Sequence, residues 1–64
     1  MKEALERLGW SFNGMSARYT MFYRETSQPE YLNIGPGWYI HQDGLGNSLF
    51  DRDTSRVCRR LGGI

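Results

Sequence analysis

The sequence predicts an α+β fold, with a small antiparallel β-sheet of three to four strands flanked by short N- and C-terminal helices. Three observations favour this fold class. Strong helix formers fill the first eight residues. They are followed by short runs of β-branched and aromatic residues, which are separated by turn dipeptides. A helix-capping residue then precedes a last segment in which apolar residues recur at helical spacing. The predicted order is α-β-β-β-β-α, in a single domain that spans residues 1–64.

The first predicted element is a helix over residues 1–8, MKEALERL, which ends at Gly9. Leu5 and Leu8 lie on one face of it. Because a helix of about two turns is marginal in water, we expect it to depend on packing of this face against the rest of the domain.

A hairpin is predicted next. Residues 10–12 alternate apolar and polar side chains, Asn13-Gly14 is the dipeptide favoured in a type I′ turn, and residues 19–23 resume strand composition. Alternation places Ala17, Tyr19, Met21 and Tyr23 on one face and Arg18, Thr20, Phe22 and Arg24 on the other. Since neither face is cleanly polar, we expect a central strand that is covered by a helix on one side. A binding partner is the candidate to cover the other side. A helix over residues 16–24 is the alternative.

The C-terminal half predicts a hairpin that leads into a helix. After a short strand at 31–34 and the sequence GPG, strands at 38–41 and 48–51 enclose the turn sequence DGLGN at 43–47. Asp53 and Thr54 are the candidate helix caps. In the last helix, Val57, Cys58 and Leu61 form the apolar stripe. Arginines occupy the opposite side, offset by Asp53 alone: Arg52, Arg56 and Arg60, with Arg59 beside them.

Composition excludes several classes of site. The chain has 64 residues with a single Cys and a single His, so it cannot form an internal disulfide or supply a tetrahedral Cys/His metal site, and we expect no cofactor. The net charge of +1 argues against a strongly electrostatic DNA-binding protein. No apolar run approaches the ~20 residues that span a bilayer, so we expect a cytoplasmic protein without membrane contact.

Two side chains are candidates for catalysis. His41 is the only imidazole, the group best suited to proton transfer at neutral pH, and it shares a strand face with Tyr39. A ribonuclease that uses the 2′-hydroxyl of RNA could be built from these two residues and nearby arginines. Cys58 lies in the interior of the predicted helix, where a thiol is buried and inert. The prediction is that the protein is not an enzyme.

Surface recognition is the stronger expectation, because nine aromatic residues (two Trp, four Tyr and three Phe) exceed what a core of this size can hold. Tyr, Trp and Arg dominate the energetics of protein interfaces. The predicted partner-binding residues are Arg18, Tyr23, Arg24, Trp38, Tyr39, Arg52, Arg56, Arg59 and Arg60.

Two segments carry resemblances to known families. Residues 31–62, through the pattern GWYI, LFD and T, resemble tyrosine-recombinase arm-binding domains and a plant class of DNA-binding domains, in which a three-stranded sheet reads DNA. The strands of those domains are strongly basic, whereas residues 38–50 contain no Lys or Arg. The opening LERLGW at 5–10 and the ending RRLGGI at 59–64 resemble HicA-type mRNA interferases. The catalytic histidine of that family has no counterpart in GMSARY at 14–19, so the resemblance does not imply activity.

We therefore expect a small non-catalytic binding protein, regulatory or inhibitory, of the kind common in phages and mobile elements, which docks on a larger protein or nucleoprotein complex. The alternative is a nucleic-acid-binding module that uses the C-terminal arginine helix. A HicA-like or His41-dependent ribonuclease is the third hypothesis. Pairing of edge strands leaves a homodimer open.

Overall fold

A computed structural model describes residues 2–25 and 27–61 of the chain. The elements are α1 (Lys2–Arg7), β1 (Ser11–Met15), β2 (Thr20–Arg24), β3 (Glu30–Gly35), β4 (Trp38–Gln42), β5 (Ser48–Asp51), a 3₁₀ turn (Thr54–Arg56) and α2 (Val57–Arg60). The α+β fold class is confirmed. The strand count is wrong by at least one, because the five described strands form one antiparallel sheet in the order β1-β2-β3-β4-β5.

Each strand pairs with its neighbour in sequence, so the sheet is a simple meander. The register aligns Phe22 with Leu32 on β2 and β3, and Ile34 with Tyr39 on β3 and β4. Since strand side chains alternate between faces, this register places the side chains of Phe22, Leu32 and Tyr39 on the same side of the sheet. We call this side the inner face and the opposite side the outer face.

The hydrophobic core lies between the inner face and the two helices. Leu5 of α1, together with Val57 and Leu61 of the C-terminal segment, packs on Phe22, Leu32 and Tyr39, and Trp10 completes the cluster. The predicted apolar stripe of the last helix is confirmed: Val57 and Leu61 are buried and Cys58 is half-buried against the core. Both helices are short and lean on one side of the sheet only.

The predicted turn at Asn13-Gly14 is wrong. These two residues lie inside β1, where Phe12 pairs with Phe22 and Gly14 with Met21, so Asn13 is the extra residue of a β-bulge. Gly14 has φ +112°, a backbone conformation that glycine adopts without a steric penalty. The chain reverses further on, where the Ser16 amide donates to the Tyr19 carbonyl at 2.9 Å. The dipeptide therefore bends a strand here and does not end it.

The C-terminal helix begins as predicted, because the Asp53 carboxylate caps it by accepting from the Ser55 amide at 3.1 Å. Its first turn is a 3₁₀ turn, and only Val57–Arg60 is α-helical. The predicted closing residues Gly62 and Gly63 lie outside the described residues, as does Met1 at the start of the first predicted helix.

Candidate interaction surface

The described helices leave the outer face of the sheet uncovered, since both pack on the inner face. Its central row crosses four strands, with Met21 opposite Asn33, Asn33 opposite Ile40, and Ile40 opposite Phe50. The next row runs from Tyr23 to Tyr31 and on to Gln42 and Ser48. Trp38 occupies a third row, opposite Gly35.

Aromatic rings on the outer face pair across neighbouring strands. The centroids of Tyr23 and Tyr31 are 5.5 Å apart at an interplanar angle of 48°, and those of Tyr19 and Trp38 are 5.9 Å apart at 56°. Phe50 stands on the edge strand and is 54% exposed, while Tyr31 is 41% exposed. The face therefore presents two aromatic pairs and one separate ring.

Trp38 is fixed by the absence of a side chain at Gly35. A Cβ built on Gly35 would lie 2.2 Å from a ring carbon of the Trp38 indole, far closer than any real contact. The indole consequently lies flat over the backbone of β3, in the place where a side chain of residue 35 would stand. Glycine at this strand position is required by the ring that covers it.

Charge is distributed unevenly over the outer face. Its strand positions carry no carboxylate, and the guanidinium carbon of Arg52 lies 5.6 Å from the centre of the Phe50 ring. Arg18 is exposed in the turn just before Tyr19. At the end of β2, partial desolvation raises the pKa of Tyr23, and the hydrogen-bonded carboxylate of Glu25 raises it further.

Three of the predicted partner-binding residues, Arg18, Tyr23 and Trp38, lie on or beside the outer face. Arg52 joins them through its contact with Phe50. The same surface contains four residues that were not among the sequence candidates: Met21, Tyr31, Ile40 and Phe50. The alternation within strands could have indicated them, but only if the strand bounds and the register between strands had been known.

Tyr39 and Arg24 lie elsewhere. Tyr39 is fully buried, and its hydroxyl donates to Asp51 Oδ2 at 3.4 Å. Burial, above all, raises the pKa of this hydroxyl. Because Tyr39 exposes no surface, a partner cannot contact its side chain in this conformation.

Arg24 is held by contacts within the chain. Its Nε donates to Glu30 Oε2 at 2.6 Å, and its Nη1 donates to the carbonyls of Leu8 at 3.3 Å and Leu61 at 3.5 Å. The guanidinium carbon lies 4.6 Å from the centre of the Trp10 ring. These contacts explain why an arginine stands on the inner face, and they leave little of it for a partner.

The C-terminal arginines do not form one free basic stripe. Arg56 Nε lies 3.2 Å from Asp53 Oδ2, and Arg60 Nε lies 3.4 Å from Asp51 Oδ2. The expectation that Asp53 alone offsets them is thus wrong, because Asp51 pairs as well. Arg52 precedes the helix, and Arg59 is exposed on it.

His41 lies on the inner face, as its predicted alignment with Tyr39 requires. Its ring packs edge to face on Trp10 at 5.8 Å, and its Nε2 is buried without a hydrogen-bond partner among the described residues. Glu30 Oε1 is 3.8 Å from that nitrogen. A cleft of about 260 Å³ nearby is lined by Ser27, Gln28, Glu30, Asp43, Gly44 and Leu45, and His41 is not part of its wall.

A second concavity, of about 390 Å³, opens on the inner face beside the first residue of α1. Its lining is mostly apolar: Lys2, Phe12, Met15, Thr20, Phe22 and Ile34. The ammonium of Lys2 lies 4.7 Å from the centre of the Phe12 ring and forms part of the rim.

Comparisons of the chain with protein-family models, with curated proteins and with solved structures find no match. Within residues 2–25 and 27–61, no group of three or more His, Cys, Asp or Glu side chains is placed to hold a metal ion. None of the helices in that part of the chain is long and apolar enough to cross a membrane.

Proposed function

We propose that this protein is a non-catalytic binding module that docks on a larger protein or nucleoprotein complex through the outer face of its sheet. The observation that supports the proposal is the exposure of aromatic rings on a sheet whose two helices lie on the other side. Contiguous exposed apolar surface of this kind is uncommon on monomers and marks interaction sites. Tyr, Trp and Arg are also the residue types that contribute most to binding energy.

Within this proposal the protein acts as a small regulatory or inhibitory protein, as those of phages and mobile elements do, and it works in the cytoplasm. Trp38 and the Tyr23–Tyr31 pair are the central anchors. Arg18 and Arg52 lie at the border of the face, where arginine can pair with a carboxylate or phosphate of the partner.

The test is affinity capture from a lysate of the organism that encodes the chain, with three tagged proteins. These are the wild type, a Tyr31→Ser and Phe50→Ser double variant, and a Leu45→Ser control. Leu45 is 76% exposed in the β4–β5 turn, outside the strands that form the outer face, so it controls for the loss of an exposed apolar side chain. Circular dichroism establishes that each variant is folded.

The proposal predicts a captured component that the wild type and Leu45→Ser both retain and that the double variant loses. Nuclease treatment of the lysate separates protein partners from nucleic acid. Equal capture by all three proteins would refute docking through the outer face. Light scattering after size exclusion tests the homodimer, for which the edge strands β1 and β5 are available.

Binding of nucleic acid through the C-terminal arginines is the alternative, and the exposed Arg59 supports it. It predicts a gel shift with duplex DNA at low salt that weakens steeply as salt rises, since phosphate contacts release counterions. An Arg56→Ala and Arg59→Ala variant should abolish that shift. A His41-dependent ribonuclease predicts RNA cleavage that His41→Ala abolishes, although the buried Nε2 of His41 is not accessible to a substrate in this conformation.

A further inference from the structure

We propose that the outer face binds unpaired RNA, with bases stacked on its aromatic side chains. This inference rests on the proposed function, since it names the component of a nucleoprotein complex that the face recognises. It differs from the arginine-helix alternative because it uses the opposite side of the molecule.

The distribution of carboxylates favours a polyanion on this face. The chain has seven acidic residues, and each lies in a helix, in a turn or loop, or on the inner face. They are Glu3, Glu6, Glu25, Glu30, Asp43, Asp51 and Asp53. Glu25 comes nearest, at the end of β2, where it is hydrogen-bonded to Tyr23. A phosphate backbone laid across the strands therefore meets no carboxylate at a strand position.

The spacing of the rings suits separate bases. Tyr31 and Trp38 lie in rows that are four residues apart along paired strands, which corresponds to about 13 Å. Phe50 lies on β5 in the row between them, two strands away from Asn33 on β3. Successive unstacked bases can each find a ring, because stacking requires only a π-face and tolerates any base.

Polar side chains between the rings can contact base edges and sugars. Asn33 lies at the centre of the face, between Met21 and Ile40, and Gln42 and Ser48 continue the row of Tyr31. An amide both donates and accepts hydrogen bonds, as base edges and the 2′-hydroxyl do. This is the reason to assign RNA, in which single-stranded loops present such groups to aromatic side chains.

Arg52 extends the platform at the edge strand. Its guanidinium lies over the Phe50 ring, where it can stack on a base or pair with a phosphate. Because Arg52 and Arg18 are the only basic residues found at the border of the face within residues 2–25 and 27–61, the binding is expected to depend on stacking more than on charge. Affinity should then fall only a few-fold between about 50 and 200 mM salt, in contrast to a surface with many phosphate contacts.

The experiment measures fluorescence anisotropy with a labelled, unstructured RNA of about 12 nucleotides, with single-stranded DNA of the same sequence and with duplex RNA. The variants are Tyr31→Leu and Phe50→Leu, which keep apolar surface but remove the ring. The matched control is Phe12→Leu, which removes an exposed ring from the inner face, where Phe12 pairs with Phe22. Because base stacking is worth ~1 to 3 kcal/mol, each outer-face variant should bind roughly 5- to 150-fold more weakly, while the control binds as the wild type does.

A measurement on the unmodified chain guards against a variant that fails to fold. Trp10 is 2% exposed, so RNA that stacks on Trp38 should quench the fluorescence of the outer-face indole alone. Absence of binding and quenching at low salt overturns the inference. So does equal binding by the outer-face variants, tighter binding of duplex RNA, or binding of single-stranded DNA as tight as that of RNA.

Failure of this inference is distinguishable from failure of the proposed function. If RNA does not bind but nuclease-resistant capture still depends on Tyr31 and Phe50, then the partner is a protein and only the RNA assignment falls. If neither RNA binding nor capture depends on these residues, both proposals fall.

Discussion

Gly35 and Trp38 form a pair in which one residue is small because the other is large. Replacement of Gly35 by Ala places a methyl group within the indole, 2.2 Å from a ring carbon. We expect Gly35→Ala to lower the free energy of unfolding by about 1 to 3 kcal/mol, the usual cost of overpacking. In a Trp38→Ala background the same change should cost almost nothing.

Urea denaturation of the four proteins in this cycle measures the coupling between the two residues. A Gly35→Ala cost that persists without the indole would mean that the backbone of β3, and not the ring, requires glycine.

His41 is a second case in which the surroundings of a residue predict the effect of its replacement. His41→Phe keeps the edge-to-face contact with Trp10 and removes a buried nitrogen that has no partner among the described residues. We expect His41→Phe to be at least as stable as the wild type, because an unsatisfied buried polar atom is costly. His41→Ala loses the ring contact and should be destabilised by about 2 kcal/mol.

Thermal and urea denaturation of both variants check this expectation. A His41→Phe protein that is less stable than His41→Ala would show that the imidazole makes a polar contact that outweighs its packing.

At the scale of elements, the turn between β4 and β5 is built around one carboxylate. Asp43 Oδ1 accepts from the amides of Leu45 at 2.8 Å and Asn47 at 2.9 Å, and Oδ2 accepts from the Asn47 side chain at 3.2 Å. The backbone hydrogen bonds, above all that of Asn47, lower the pKa of Asp43 from its usual value of 3.8. The folded state therefore favours the ionised form.

The sign of the pH dependence follows from this shift. The stabilisation by Asp43 is complete above the unfolded pKa of about 4 and is lost as the pH falls through the lower folded value. An Asp43→Asn variant keeps an acceptor oxygen but carries no charge. We expect it to melt at a lower temperature than the wild type at pH 7, and the difference to shrink steadily below pH ~4.

Asp51 and Asp53 also have lowered pKa values, the first mainly through the Asp53 amide and the second mainly through the Ser55 side chain. Protonation of Asp51 and Asp53 in acid destabilises the wild type and Asp43→Asn equally. The difference in melting temperature between the two proteins is therefore the quantity to measure. A difference that stays constant from pH 7 to pH 2.5 would contradict the role assigned to the charge.

The sequence allowed the prediction of most elements, and of the ends of some of them. Trp38–Gln42 and Ser48–Asp51 agree with their predicted strands to within a residue, because turn glycines and alternating side chains bound them on both sides. The first hairpin was predicted with the wrong turn, since Asn13-Gly14 has the composition of a type I′ turn and also of a bulge. Local composition does not distinguish the two, whereas pairing with β2 does.

At the scale of the whole molecule, the sequence indicated a surplus of aromatic residues but not the side of the sheet on which each lies. Tyr39 and Tyr31 have similar strand contexts, yet one is fully buried and the other 41% exposed. The side depends on the register between strands and on where two short helices dock, and both are set by long-range packing. The net charge of +1 does not reveal that no carboxylate occupies a strand position of the outer face.

Arg24 links the sheet to both helices, whose docking determines which face of the sheet is covered. Its guanidinium binds Glu30 on β3 and lies over the ring of Trp10. It also donates to the carbonyl of Leu8, just after α1, and to that of Leu61, just after α2. Since each helix is too short to be stable alone, its docking depends on such contacts as well as on Leu5 and Val57. Loss of the guanidinium should therefore loosen both helices together.

Arg24→Met retains an apolar stem over Trp10 and removes every one of these hydrogen bonds. We expect it to lower the free energy of unfolding by about 2 kcal/mol, because the partly buried carboxylate of Glu30 and the two carbonyls lose a charged donor. Arg18→Met, at an exposed turn position, is the matched control and should change stability by less than about 0.5 kcal/mol. Hydrogen exchange should quicken in α1 and α2 of Arg24→Met before it quickens in the central strands. Equal stability of the two variants, or protection lost evenly across the sheet and the helices, would mean that apolar packing alone holds the helices on the inner face.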